Sequence, residues 1–321
     1  MKIKYNEKTI EVQVGSTVEE ALKDEIKSSE YTVMGATYNN KYVNLAHPML
    51  EDGEVKLLTT TSKEGMKIYF RTLIYILGKA IEKICYGKKL HVNYQLSNSM
   101  FCDIEDMQIT EDFIKQLTEE MKNIVEQDLP IKLLKMNREE AGKFYEKYDT
   151  SKGRLQFDFE ENKQIHMFFC EGYFNYCYGT LGHRTGLTPI FEILKYNDGF
   201  LVRYPSTKNP EELQPLIETK KLAWALEEYE DIHRILNVGT VYRLNKITKE
   251  NNIHHLIALE EALHEKKIAN IADEIAKKRN IKMILIAGPS SSGKTTFAQR
   301  LGLQLRLNRI KPVTISVDNY F

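Results

Sequence analysis

The sequence predicts a multidomain α+β protein, on three observations. Hydrophobic patterning changes along the chain between period two and period 3.6, so strands and helices come in blocks rather than in one repeated unit. At 321 residues the chain is long enough for about two to three domains, each with its own core. Near the C-terminus "ILIAGPSSSGKTTFAQRL" sets a glycine-rich loop between an apolar run of strand length and a helical pattern, which opens a unit of a different kind.

Composition narrows the class. With 42% hydrophobic and 28% charged residues and a mean hydropathy of -0.43, the chain has the make-up of a soluble globular protein. Lys plus Arg and Asp plus Glu both number 45, so no global field draws it to nucleic acid or to an anionic membrane, and any anion affinity must be local. The N-terminus lacks the apolar core of a signal peptide, and runs such as "LIYIL" and "MILIAG" fall far short of the ~20 residues of a membrane span. No membrane partner and a cytoplasmic location are expected. Cys85, Cys102, Cys170 and Cys177 form no CxxC pair and read as free thiols in a reducing compartment.

Residues 1–62 alternate as strands in "KIKYNEKTIEVQV", and Ser16 or Thr17 then caps the helix "VEEALKDEI". Short strands follow at "TVMGATYNN", "KYVNL" and "EVKLLTTT", an order that predicts a β-grasp roll. Residues 63–200 open with the apolar helix "IYFRTLIYILGKAIEKI". The next helix, "TEDFIKQLTEEMKNIVEQ", has Thr110 or Glu111 at its start and buries Phe113, Leu117, Met121 and Val125 as one stripe. "REEAGKFYEKY" is a third helix, and a strand-rich tract runs from "GRLQFDF" to "GFLVRYP". Residues 201–275 form a helical connector, and residues 276–321 begin the loop-bearing unit.

On "VGSTVEEAL" and "VNLAHPMLEDGEVKLLT", the first segment resembles the TGS-type β-grasp domain at the front of threonyl-tRNA synthetases. On "TEEMKNIVEQDLPIKLLKMNREEAGKFY", the second resembles the editing-like second additional domain that follows it in those enzymes. The tandem order is more specific than either half.

Gly288-Pro289-Ser290-Ser291-Ser292-Gly293-Lys294-Thr295 fits G-x-x-x-x-G-K-[ST] at every fixed position. The two glycines let the backbone wrap closely, so the N–H groups present in the stretch from about 289 to 296 can face phosphate oxygens beside a helix N-terminus. Gly288, Ser290, Ser291, Ser292, Gly293, Lys294, Thr295 and Thr296 are the candidate ATP phosphate contacts, with Lys294 as a point charge and Thr295 on Mg²⁺. Nine Lys or Arg and no acid lie between Glu274 and Asp318, a local imbalance that suits a polyphosphate. "KPVTISVD" reads as a second parallel strand ending at Asp318, which would meet a substrate beside the loop.

"LIAGPSSSGKTTFAQRL" followed by "VTISVDNYF" resembles the start of the uridine kinase and phosphoribulokinase family. That resemblance implies the first β-α-β of a P-loop α/β kinase, with Lys294 and Asp318 as catalytic residues. Asp318, Tyr320 and Phe321 would bind the nucleoside, uridine or cytidine first, and ATP and Mg²⁺ would be the cofactors. The whole arrangement resembles large bacterial uridine kinase-like proteins with synthetase modules in front. The expected function is then nucleoside phosphotransfer, with this chain its N-terminal portion and without turnover of its own. A strand–helix–strand piece cannot bury both faces of a parallel sheet, so its last ~40 residues are expected to be poorly ordered or held by neighbouring surfaces. The rival reading is a module that senses nucleotide and binds RNA or an effector without phosphotransfer; oligomeric state is left open.

His166, Cys170, Cys177 and His183 are spaced H-x3-C-x6-C-x5-H, which matches no common zinc pattern, so strand packing is favoured. Synthetase editing domains take two ligands from an H-x3-H on their first helix, whereas "YFRTLIYILGKAI" holds no histidine. No zinc is expected. The cleft that resemblance implies would serve an RNA end or a small effector, or only packing.

Overall fold

The computed structural model describes residues 1–147, 164–217, 219–278 and 280–317. Its described part is mixed α+β with three separate sheets, and it divides into two compact units, Met1–Ile232 and His233 onward.

The first unit starts with a five-stranded sheet made of β1 (Lys2–Tyr5), β2 (Lys8–Glu11), β3 (Val33–Tyr38), β4 (Lys41–Val43) and β5 (Gly53–Thr59), in the order β2-β1-β5-β3-β4. Only β1 and β5 run parallel. Asn39 and Asn40, at φ of 49° and 62°, close the β3–β4 hairpin with the two left-handed residues that match strand twist. Thr17 caps α1 (Val18–Ala21) in a full capping box with Glu20, and α2 (Lys23–Lys27) follows directly. Ile3, Val18, Leu22, Leu45, Met49 and Val55 form the core under this sheet. Met34, on the other face of β3, is buried against α3 (Lys63–Ile84), so this strand is covered on both sides.

Helix α3 buries a broad apolar side, including Met66, Ile68, Tyr69, Leu73, Ile76, Leu77 and Ile81, while Lys63, Lys67 and Lys83 stay exposed. One side meets α4 (Glu111–Glu126), whose Phe113, Leu117, Met121 and Val125 are buried as the four-residue spacing predicts; Thr110 is its cap. A four-stranded antiparallel sheet joins the same core through Cys102, Phe200 and Val202. Its order is β11-β12-β7-β6, from β6 (Leu90–Leu96), β7 (Ser99–Ile104), β11 (Glu192–Tyr196) and β12 (Gly199–Arg203). A three-stranded sheet, β10-β9-β8, is built from β8 (Lys132–Met136), β9 (Ile165–Cys170) and β10 (Tyr173–Asn175), with α5 (Arg138–Lys147) between β8 and β9 in sequence. The expected strand at "GRLQFDF" lies outside the described residues. Helix α6 (Lys220–Ile235) touches this unit through Ala223, packed with Tyr94, Leu96, Phe101 and Leu201.

In the second unit α7 (Val241–Lys249) leads to the long α8 (Ile253–Lys277), and α9 (Lys294–Leu307) packs on α8 through Leu301 and Leu305 against Ile268 and Ala272. Arg300 and Gln304 both bond Glu265, and Asn308 bonds Asp273 at 2.7 Å, so polar contacts flank this small core.

The sequence predicts strands on either side of α9, at "IKMILIAG" and "KPVTISVD". Neither belongs to any sheet among the described residues. Met283, Leu285, Val313 and Ile315 are instead exposed, Leu285 and Val313 at 85%. An apolar run of the right length marks a segment fit for a strand, but a strand forms only where a neighbour takes its N–H and C=O groups.

Candidate functional site

Two places carry chemistry, one in each unit. In the second unit the loop Gly288–Gly293 turns directly into α9, and its shape comes from two left-handed residues, Ser291 at φ 59° and Gly293 at φ 81°. A Cβ on Gly288 would stand 2.7 Å from the Ser292 hydroxyl, so a side chain there would open the turn. Gly293 is the N-cap and supplies no side-chain acceptor, and the first helical bond runs from Phe297 N–H to Gly293 O at 2.9 Å. The N–H groups of Lys294, Thr295 and Thr296 are therefore left at an uncapped, acid-free helix start, a local anion site. The Lys294 ammonium donates to the Pro289 carbonyl at 2.7 Å, which folds the lysine back along the loop. Ser290, Ser291, Ser292 and Thr295 are exposed beside it. Asp318, Tyr320 and Phe321 lie outside the described residues.

In the first unit the segment that follows β10 is laid along α3. Thr72 donates to Ile68 O at 2.7 Å and accepts the Gly182 N–H at 2.8 Å. The Tyr75 hydroxyl stands 3.1 and 3.2 Å from the carbonyls of Phe168 and Tyr173, and burial pushes its pKa up. Gly78 makes room for the Tyr173 hydroxyl, and Lys79 donates to the carbonyls of Cys170 and Glu171, both at 3.0 Å. Further on, Thr185 donates to Ile124 O at 2.7 Å and Asp128 accepts the Gly186 N–H at 3.0 Å, which ties the segment to the end of α4. Thr180 reaches Tyr42 O on the β-grasp sheet at 3.2 Å.

Of the four Cys and His residues in this region, His166 is exposed on β9 and Cys170 is buried on the same strand. Burial pushes the Cys177 thiol up, with the Arg71 charge opposing, so it is a neutral thiol near neutral pH and a poor nucleophile or metal ligand. His183 is 8% exposed and faces Glu19 of α1, with Nε2 3.3 Å from Oε2. Burial pushes its imidazole pKa down; Glu19 opposes that, Arg184 adds to it and Asp128 opposes it. Among the described residues no three His, Cys, Asp or Glu side chains are grouped to hold a metal ion. The four cysteines are unbonded.

Reading the sequence alone misses Arg71, Gly179 and the Glu19–His183 approach. Gly179 at φ 98° lies on the Arg71 guanidinium, where a Cβ would come 2.9 Å from Cζ. The glycine itself was the available signal, since "CYGTLGH" has no reason for one at that place unless something packs closely on it. No helix among the described residues is long and apolar enough to cross a membrane.

No family model matches the chain. It is similar to curated threonine–tRNA ligases: 31% identical over 188 residues to that of Caldanaerobacter subterraneus subsp. tengcongensis, covering 57% of this chain and 29% of the relative. The figures are 29% over 182 residues for threonine–tRNA ligase 1 of Bacillus subtilis, with 56% and 28% covered, and 26% over 226 residues for that of Geobacillus kaustophilus, with 70% and 33% covered. The matches thus span about a third or less of these relatives. They overturn the expectation of an ATP-dependent uridine-type kinase acting on a nucleoside acceptor: that reading rested on some forty residues whose flanking strands join no sheet, whereas similarity over more than half of the chain leads to ligases. What the comparisons support is a chain similar over part of its length to threonine–tRNA ligases.

Proposed function

We propose that this chain is an RNA-binding module that engages tRNA, and that it carries in its second unit a loop that holds the phosphates of a nucleotide. The observation behind the first part is the 31% identity over 188 residues to a threonine–tRNA ligase, a protein whose name makes tRNA its substrate. The geometry is compatible. Exposed Lys132, Lys135 and Arg184 lie on β8 and on the 176–188 segment, and exposed Tyr42 offers a ring for an unpaired base.

For the second part, Gly288 and Ser290–Thr296 with Lys294 are the proposed phosphate contacts, ATP the nucleotide, and Thr295 the magnesium contact. Bound Mg²⁺ would neutralise phosphate charge; the chain itself supplies the loop amides, the lysine and the helix start.

The test of the RNA reading is filter binding of bulk tRNA to the full chain across a salt series. Expected is saturable binding that weakens with a log–log slope of roughly -0.7 to -0.9 per phosphate contacted. Retention no better than for serum albumin at ~10 µM protein, where even non-specific contacts register, would refute it. Binding of a fluorescent ATP analogue, with Lys294→Ala expected to weaken it at least about tenfold, checks the loop separately.

A further inference from the structure

A cleft of about 510 Å³ opens at one end of the four-stranded sheet, between the tip of the β6–β7 hairpin and the segment 204–217 that follows β12. Small-molecule sites fall in this size range. Its walls are fixed by main-chain groups. The Tyr204 N–H donates to the Asn98 carbonyl at 3.2 Å, which brings the segment to the hairpin tip. The Asn209 N–H stands 3.2 Å from both the carbonyl and the hydroxyl of Ser206, which closes a turn over 206–209. The Arg203 guanidinium holds the Gln214 carbonyl and is itself paired with Glu192. Pro205, Pro210 and Pro215 remove backbone freedom from the same segment.

The side chains that line the cleft take little part in this scaffolding. Asn98, Thr207 and Gln214 are half-buried, and none of their side-chain donors or acceptors bonds a described residue. Lys208 is exposed and makes no ion pair among the described residues. Half-buried polar groups that the fold itself does not use, gathered on one cavity, are the groups a ligand can use.

The lining sets the class of that ligand. Lys208 is the single charged side chain among its described residues, which favours one anionic group over a cation or a polyanion. Ser97, Ser206 and Thr207 offer hydroxyls, and Asn98 and Gln214 offer amides; each can both donate and accept, as sugar hydroxyls do. Pro215 and Ile217 add aliphatic surface for the C–H face of a sugar ring, while no aromatic ring among the described lining residues is there for a base to stack on. A lysine ammonium with hydroxyls around it suits a phosphate, whose terminal oxygens take several single donors, whereas a carboxylate is better met by the two-point fork of an arginine.

We propose that this cleft binds a phosphorylated sugar, with Lys208 on the phosphate and Asn98, Thr207 and Gln214 on the hydroxyls. The site depends neither on the RNA reading nor on the phosphate loop, and its success or failure leaves both standing.

Isothermal titration calorimetry of the full chain with glucose 6-phosphate and with ribose 5-phosphate tests it. At least one of the two is expected to bind saturably, and at least about tenfold more tightly than glucose or inorganic phosphate, since each half of the ligand contributes. Lys208→Gln should weaken that binding by at least about tenfold, and Asn98→Ala or Gln214→Ala by about threefold to tenfold, the scales of a charge-assisted and a neutral hydrogen bond. These side chains bond nothing else in the fold, so each variant should melt where the parent does. No saturable binding of either sugar phosphate at about 10 mM, tenfold above a weak dissociation constant of about 1 mM, would overturn the proposal. Inorganic phosphate or free glucose binding as tightly as the sugar phosphates would overturn it too, because half of the contacts would then be idle. Binding that is unchanged in Lys208→Gln and in Asn98→Ala lies elsewhere in the chain, the phosphate loop included, and counts against the cleft in the same way.

Discussion

Replacing Tyr69 by Phe isolates one long-range tie that shapes the first unit. Tyr69 is 2% exposed in the middle of α3; its hydroxyl donates to the Ile190 carbonyl at 2.7 Å and accepts the Ile190 N–H at 2.9 Å. Phe fills the ring's space and opens no cavity, so the change removes two hydrogen bonds and little else. It leaves a main-chain donor and a main-chain acceptor, each worth about 1–3 kcal/mol if stranded. Ile190 is only half-buried, so part of that loss is recovered by solvent, and the low end of the range is appropriate: about 2–3 kcal/mol in total. For a unit of this size each kcal/mol moves the melting temperature by roughly 2–4 °C, which gives a fall of about 5–10 °C. Thermal unfolding followed by near-ultraviolet circular dichroism measures it, because Tyr69 and its aromatic neighbours report packing of this core. A fall under about 2 °C would mean that the start of β11 is held by its strand pairing alone and that the Tyr69 hydroxyl is dispensable.

Three other outcomes are expected. Stability of the first unit should decline as pH is lowered below about 6.5: burial depresses the folded His183 pKa, so the unfolded chain binds more protons in that window, and the full contribution is present only above the unfolded value. Urea melts from pH 7.5 to 5 should lose that slope in His183→Leu and steepen in Glu19→Gln, since Glu19 is the group that favours the charged imidazole. Leu305→Ala removes one member of a four-residue buried core and should cost about 2–5 kcal/mol, freeing α9 from α8; limited proteolysis between residues 280 and 310 should quicken while the first unit's melt is unchanged. Gly293→Ala forces a Cβ into the left-handed region at about 1–2 kcal/mol and should weaken ATP-analogue binding, read by the same fluorescence titration as Lys294→Ala.

Features set within one helical turn or one hairpin are legible in the sequence. Thr17 and Thr110 cap the helices they precede, and the four-residue stripe of α4 is buried as its spacing requires. The phosphate loop is likewise local: its glycines announce the left-handed turn found at Gly293. Contacts between remote segments are not legible, because nothing in the run of residues around Tyr69 names Ile190, 121 positions away, or joins Glu19 to His183. "IKMILIAG" shows the other limit: an apolar run of strand length states what a strand would bury and says nothing of whether a partner strand is present. For function the same contrast holds. A short, sharp motif directs attention to phosphotransfer, while the weaker likeness spread over more than half of the chain leads to tRNA ligases.

The lysine of the phosphate loop is not idle. With its ammonium on the Pro289 carbonyl, a phosphate arriving at the loop displaces an internal acceptor instead of meeting a bare charge, so the gain on capture is the difference between two hydrogen bonds. Exchange of that kind would lower the net affinity of the loop for a phosphate. On the proposed nucleotide reading, such a loop would fill and empty with the surrounding nucleotide concentration.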